Sequence, residues 1–182
     1  MTFKQKLFIA IALIATGVIG RLVPHLWNMT PIAAVAILSG ARLGWKWGVA
    51  LPVLAMVISD IFIGFYSLPI LLSVYLSFAL AGVAGFLVRK TGKVGAVLGG
   101  SALSATVFFL VTNGAVWQWG IMYPHNFGGL LSSYIAGLPF FQNQLIGDLF
   151  FTTALFATWE LGSALARRMK KKELGIMGEK AI

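Results

Sequence analysis

The 182-residue chain has no cysteine, five acidic residues and two histidines, and charged side chains make up only 10% of it. Without cysteine there can be no disulfide framework, no thiolate metal site and no cysteine nucleophile. The scarcity of charge excludes more. Soluble domains carry roughly 25% charged residues, and a chain this short cannot bury a hydrophobic set amounting to 59% of its residues in one water-soluble core. A soluble enzyme, a disordered chain and a DNA-binding module are excluded together. Also missing are His-Glu-x-x-His, Gly-x-Ser-x-Gly and Walker sequences, so no catalytic or nucleotide-binding motif is found. What remains is the composition of an all-α integral membrane protein.

Crossing a bilayer takes about 20 mostly apolar residues. Six such stretches are predicted as transmembrane helices, at 7–22, 31–43, 47–64, 69–88, 94–114 and 139–166. They form a single polytopic domain (1–182) that ends in a basic cytoplasmic tail, 167–182. The apolar stretch 128–137 is too short to cross and is expected as a short external helix or a re-entrant segment packed on protein.

The basic residues test this count independently. With segments alternating from an inside N-terminus, Lys4, Lys6, Arg42, Lys46, Arg89, Lys90, Lys93, Arg167, Arg168, Lys170, Lys171, Lys172 and Lys180 fall inside, and Arg21 alone falls outside. Such a bias places both termini in the cytoplasm of a multi-pass cell-membrane protein, bacterial by expectation. The net charge of +9 then has a topological cause and does not call for nucleic acid. A competing reading takes 7–17 as a secretory signal cleaved near Ala15-Thr16-Gly17, which would leave the later topology unchanged.

Polar groups inside apolar spans mark sites of activity. Asp60 falls in the outer part of the third span, Asp148 in the outer half of the sixth, and Asn113 at the outer end of the fifth. The first external connection holds Arg21, His25, Trp27 and Asn28; the connection between spans five and six holds Trp117, Tyr123 and His125. These ten residues are the candidate substrate-binding set. Each also has a plainer reading: an Arg21–acid ion pair, loop histidines, an interfacial aromatic belt, a helix cap at Asn113. Glu160 lies deeper and reads as an interhelical contact or a snorkelling group. No cofactor is called for. Metal binding by His25, His125, Asp60 and Asp148 lacks a diagnostic spacing, and an aspartyl enzyme would need Asp60 and Asp148 in contact.

Small residues recur at four-residue spacing: Ala12, Thr16 and Gly20; Ser77, Ala81 and Gly85; Gly95 and Gly99; Ala154, Thr158, Gly162 and Ala166. Such rows let helices approach closely. They pack helices within the chain or dock a second membrane protein, for which Ala12, Thr16 and Gly20 are the candidate face.

The run Arg21-x-x-Pro24-His25-x-x-Asn28-x-Thr30-Pro31 resembles the opening of an uncharacterised bacterial membrane family grouped with the substrate-binding S components of energy-coupling-factor (ECF) transporters. Ser59-Asp60, Thr112-Asn113 with Trp117, Tyr123-Pro124, Leu138-Pro139-Phe140-Phe141 and Gly147-Asp148 are similar to its later motifs. The resemblance implies a six-helix protein that captures a vitamin or metal ion from outside, with a membrane T component and two cytoplasmic ATPases as partners. It also implies a small-residue row on the first helix facing the T component; Ala12, Thr16 and Gly20 make a comparable, non-identical row.

The expectation is therefore an external pocket in which Trp27, Trp117 and Tyr123 stack on a small-molecule ligand while Arg21, Asp60, Asn113 and Asp148 orient it. The alternatives are a ligand-free membrane scaffold or an intramembrane enzyme.

Overall fold

The computed structural model describes residues 1–91 and 93–179, with side chains as far as Met169. Within them the chain forms six helices and no strand: α1 (Phe3–Leu22), α2 (Ile32–Leu43), α3 (Trp45–Ile63), α4 (Leu68–Val88), α5 (Val94–Trp119) and α6 (Phe127–Glu179). Thr2 starts α1 through a reciprocal capping box with Gln5, which satisfies two backbone donors that a helix start leaves open.

Five helices (α1, α3, α4, α5 and α6) are long and apolar enough to cross a membrane, consistent with a multi-pass membrane protein. The second expected span, α2, is a shorter apolar helix. With 12 residues, α2 rises only about 18 Å, short of a hydrocarbon core about 30 Å thick. Its ends are fixed by Pro31 and by Gly44, the single residue that separates it from α3.

Short as it is, α2 is the axis of the molecule. Every residue from Ile32 to Gly40 is buried, and α2 touches all five other helices, which follow one another around it in the order α1, α3, α4, α5, α6. Small residues make this crowding feasible. A Cβ on Gly40 would lie 2.1 Å from the Gly82 carbonyl oxygen, and one on Gly82 would lie 2.0 Å from that of Gly48. Glycine there brings α2, α3 and α4 into backbone contact, the packing that serves helices when no hydrophobic effect drives them together. Between α1 and α6, which have no backbone contact, Leu155, Phe156 and Trp159 fill in against the cluster of Ala10, Leu13, Val35 and Leu38.

The stretch 128–137 is likewise not a separate element: α6 begins at Phe127 and continues through Pro139. Proline supplies no N–H to the preceding turn, yet the turns before it are anchored to α5. Ser133 Oγ donates to the Asn113 carbonyl at 2.8 Å and the Tyr134 hydroxyl to the Leu110 carbonyl at 2.9 Å. The Phe109 ring packs on both Tyr134 and Phe141. Residues 167–179 of the expected tail continue α6, and Lys180 lies outside the described residues.

The small-residue rows divide. Ser77, Ala81 and Gly85 are buried, Gly85 against the Ile37 backbone, so this row packs the chain on itself. On α1 the candidate docking row is split: Gly20 abuts the Pro31 ring, whereas Ala12 is exposed and Thr16 donates to its carbonyl. Gly95 and Gly99 have open space beside them, and Ala154, Thr158, Gly162 and Ala166 face outward.

Candidate functional site

The last turn of α1 puts Arg21 beside the last turns of α3. There Nη1 of Arg21 donates to Asp60 Oδ1 at 2.7 Å, to the Ser59 hydroxyl and, at 3.4 Å, to the Met56 carbonyl. Met56, Ser59 and Asp60 meet one guanidinium because residues three and four apart share a helix face. From α4, Tyr75 donates its hydroxyl to Asp60 Oδ2 at 2.6 Å. Both oxygens of this fully buried carboxylate are thus satisfied. Asp60 joins α1, α3 and α4 from behind the site. Its charge cancels that of Arg21, whose hydrogen bonds all leave through Nη1, so the Nη2 and Nε donors of the guanidinium stay available.

In front of Arg21 lies a cavity of about 580 Å³, within the range of small-molecule sites. The connection between α1 and α2 forms its roof with His25, Trp27, Asn28 and Thr30; Met56, Val74, Phe78 and Phe108 form apolar walls; Arg21, Tyr66, Gln144 and Asp148 complete it. The roof is held in place locally. Asn28 takes a left-handed conformation with φ 61°, which asparagine tolerates better than most residues, and the Met29 N–H closes a turn onto the Leu26 carbonyl. Met29 then rests on Gly147 of α6, where a Cβ would come within 2.7 Å of its side chain, and the Trp27 ring meets Phe140 edge-on at 6.2 Å.

Asp148 is the unresolved group in this lining. It is 2% exposed, and its Oδ2 is buried without a hydrogen-bond partner among the described residues. One turn earlier on the same face sits Gln144, 3% exposed and also lining the cavity. A buried acceptor left without a partner costs about 1–3 kcal/mol. With Arg21 already neutralised by Asp60, the uncompensated polar atom of the cavity belongs to an acid. Tyr66, in the turn between α3 and α4, keeps its proton: burial first, and then the Asp60 charge, push its hydroxyl up to about 12, against the opposing pull of Arg21.

Of the ten candidates, Arg21, His25, Trp27, Asn28 and Asp148 line this cavity, and Asp60 supports it through Arg21. The other four do not line it. Asn113 is not at a helix end, because α5 continues to Trp119; its amide donates to the Phe109 carbonyl and its side chain packs on Gly137. Trp117 donates its indole N–H to the Pro124 carbonyl at 3.1 Å and meets His125 edge-on. Tyr123, half-buried in the connection between α5 and α6, is also absent from the lining. Of the three rings expected to stack on a ligand, Trp27 alone lines this cavity. Asp60 is bonded to Arg21 and Tyr75, not to Asp148, and among the described residues no three histidine or acidic side chains gather as metal ligands would. Glu160 pairs with Arg42 at the opposite end of the bundle, an interhelical contact.

Sequence reasoning missed Tyr66, Gln144 and Tyr75. Gln144 carried a signal in its i, i+4 spacing to Asp148, and Tyr75 in the need of a buried phenol for a partner. Tyr66 carried none, since its place depends on how α3 and α4 meet.

A family model described as Family of unknown function (DUF6580) matches residues 1–171, and the chain belongs to that family. The match accords with an uncharacterised family and carries no link to ECF S components. No curated protein and no solved structure matches the chain.

Proposed function

We propose that this member of a family without an assigned function is a membrane-embedded binding subunit that captures a small molecule in the cavity beneath the α1–α2 connection. The observation that carries this reading is Asp148, an acid with an unpartnered buried oxygen in the lining of a space of ligand size. A ligand N–H or O–H donor would pair with the Asp148 carboxyl, the free edge of Arg21 would take an acceptor, and Phe78, Phe108 and Trp27 would cover apolar surface. Water exclusion strengthens each of these contacts.

The distribution of lysine and arginine supports an opening on the external face: among the described residues Arg21 is the one such cation in the lining of this cavity, and Arg42, Arg89 and Lys93 line the one at the other end. The solute would be a vitamin or related cofactor, and uptake would draw on ATPase and T-type partner subunits, because this sequence has no nucleotide motif.

A thermal-shift screen of the purified protein against water-soluble vitamins and their precursors tests the reading. A ligand at 100 times its Kd adds about 2.7 kcal/mol of stability, a readily measured rise in Tm. The reading predicts such a ligand and a loss of about 10-fold or more in its affinity in Asp148→Leu. A panel that stabilises nothing, or stabilises wild type and Asp148→Leu alike, contradicts it.

One observation favours a second reading, a scaffold for another membrane complex: the outward-facing small-residue rows of α5 and α6. Co-purification separates the two. ATPases and a T-type subunit support transport, and unrelated membrane subunits support scaffolding.

A further inference from the structure

At the end of the bundle opposite the Asp148 cavity, a second cavity of about 310 Å³ lies between α2, α4, α5 and α6. Its chemistry is divided. Three cations from three elements reach its rim: Arg42 in the last turn of α2, Arg89 at the end of α4 and Lys93 at the start of α5. Its walls are apolar, chiefly Val88, Val94, Val97, Leu98 and Phe156.

The two guanidiniums are held by aromatic rings. Arg89 lies 4.1 Å from the centroid of the Phe86 ring, and Arg42 lies 5.4 Å from that of Phe156 while one of its nitrogens donates to Glu160. Stacking occupies a guanidinium face and leaves its in-plane N–H groups free to bind an oxyanion. Glu160 is the one acid in the lining, so three cations against one anion leave an excess of two positive charges. Among the described residues neither Arg89 nor Lys93 has an acidic partner. The first turn of α5, which opens into the same space, has no side-chain cap, so its N–H groups add to the positive field.

The geometry points to a binding site for the phosphate of an anionic phospholipid, with Arg89, Lys93 and Arg42 on the headgroup and the first methylenes of an acyl chain along Val94, Val97 and Phe156. A soluble phosphate would use the rim and leave the apolar walls unsatisfied, whereas an anionic lipid matches both. Basic pockets between membrane helices bind acidic headgroups in this way, each cation near the surface contributing on the order of 1 kcal/mol. The site is separate from the solute cavity and does not depend on it.

Native mass spectrometry of the detergent-solubilised protein, titrated with phosphatidylglycerol or phosphatidylcholine, tests the proposal. Phosphatidylglycerol is expected to be retained preferentially. Arg89→Ala and Lys93→Ala should each reduce that preference about fivefold, and Arg89→Lys should restore part of it. Arg167→Ala, whose residue lies outside this lining, should leave it unchanged. Equal retention of the two lipids overturns the proposal, as does a preference that survives in the Arg89→Ala/Lys93→Ala double variant. Displacement of phosphatidylglycerol by millimolar inorganic phosphate would overturn the lipid assignment in favour of a soluble phosphate.

Discussion

At the scale of single residues, two acids of the same type do different work because their surroundings differ. Asp60 has a side-chain partner on each of its two oxygens, Arg21 and Tyr75, and the same Arg21 nitrogen also donates to Ser59. Removing one member of a buried ion pair costs about 3–5 kcal/mol, whereas replacing both by apolar groups of similar volume is often neutral. Asp60→Leu should therefore lower Tm sharply, and Arg21→Met/Asp60→Leu should recover much of the loss, both read by thermal unfolding in detergent. Asp148→Asn is expected to leave stability nearly unchanged or raise it, because its Oδ2 has no partner to lose.

Tyr66 gives a pH signature. Its hydroxyl is raised from an ordinary 10.0 to about 12, so the stabilisation tied to that proton is complete below pH 10 and fades as pH climbs towards 12. In a tyrosinate absorbance titration, the step lost in Tyr66→Phe should fall near 12; a step at 10 would contradict the influence of the cavity and of Asp60 on this hydroxyl.

At the scale of elements, the sequence made some boundaries readable and hid others. The helices α3 and α4 were legible within two residues because apolar runs end at Gly64 and at Arg89-Lys90. The joining of 128–137 to the last span was not, since Pro139 signals a break in sequence while Ser133 and Tyr134 bridge to α5 and hold the turns together. The centrality of α2 was equally hidden: its alanines suit a short span and a buried axis alike, and only the meeting of Gly40, Gly48 and Gly82 distinguishes them. Gly82→Ala would force a Cβ to 2.0 Å from the Gly48 carbonyl oxygen and should destabilise by about 1–3 kcal/mol. Gly99→Ala, with open space beside it, should be neutral or stabilising, since alanine is the better helix former by up to about 1 kcal/mol. Thermal unfolding of the pair checks the contrast.

At the scale of the whole molecule, the site was half legible for a reason of depth. Arg21, His25, Trp27, Asn28 and Asp148 were grouped by their expected level in the membrane, and they share a cavity. Asn113, Trp117, Tyr123 and His125 belong to the same level but to the α5–α6 side, where Asn113, Trp117 and His125 make local hydrogen bonds and ring contacts. Level along the bundle could be read from the sequence, whereas position around it required knowing that the helices wrap α2 in order.

The central claim is that this cavity opens outward and receives a solute. The absence of native cysteine makes a direct measurement feasible: His25→Cys, at the cavity roof, reacted in intact cells with a membrane-impermeant maleimide. The account predicts modification without permeabilisation, slowed by whichever solute stabilises the purified protein. Modification that requires permeabilised cells would place the cavity on the cytoplasmic side and contradict capture from outside.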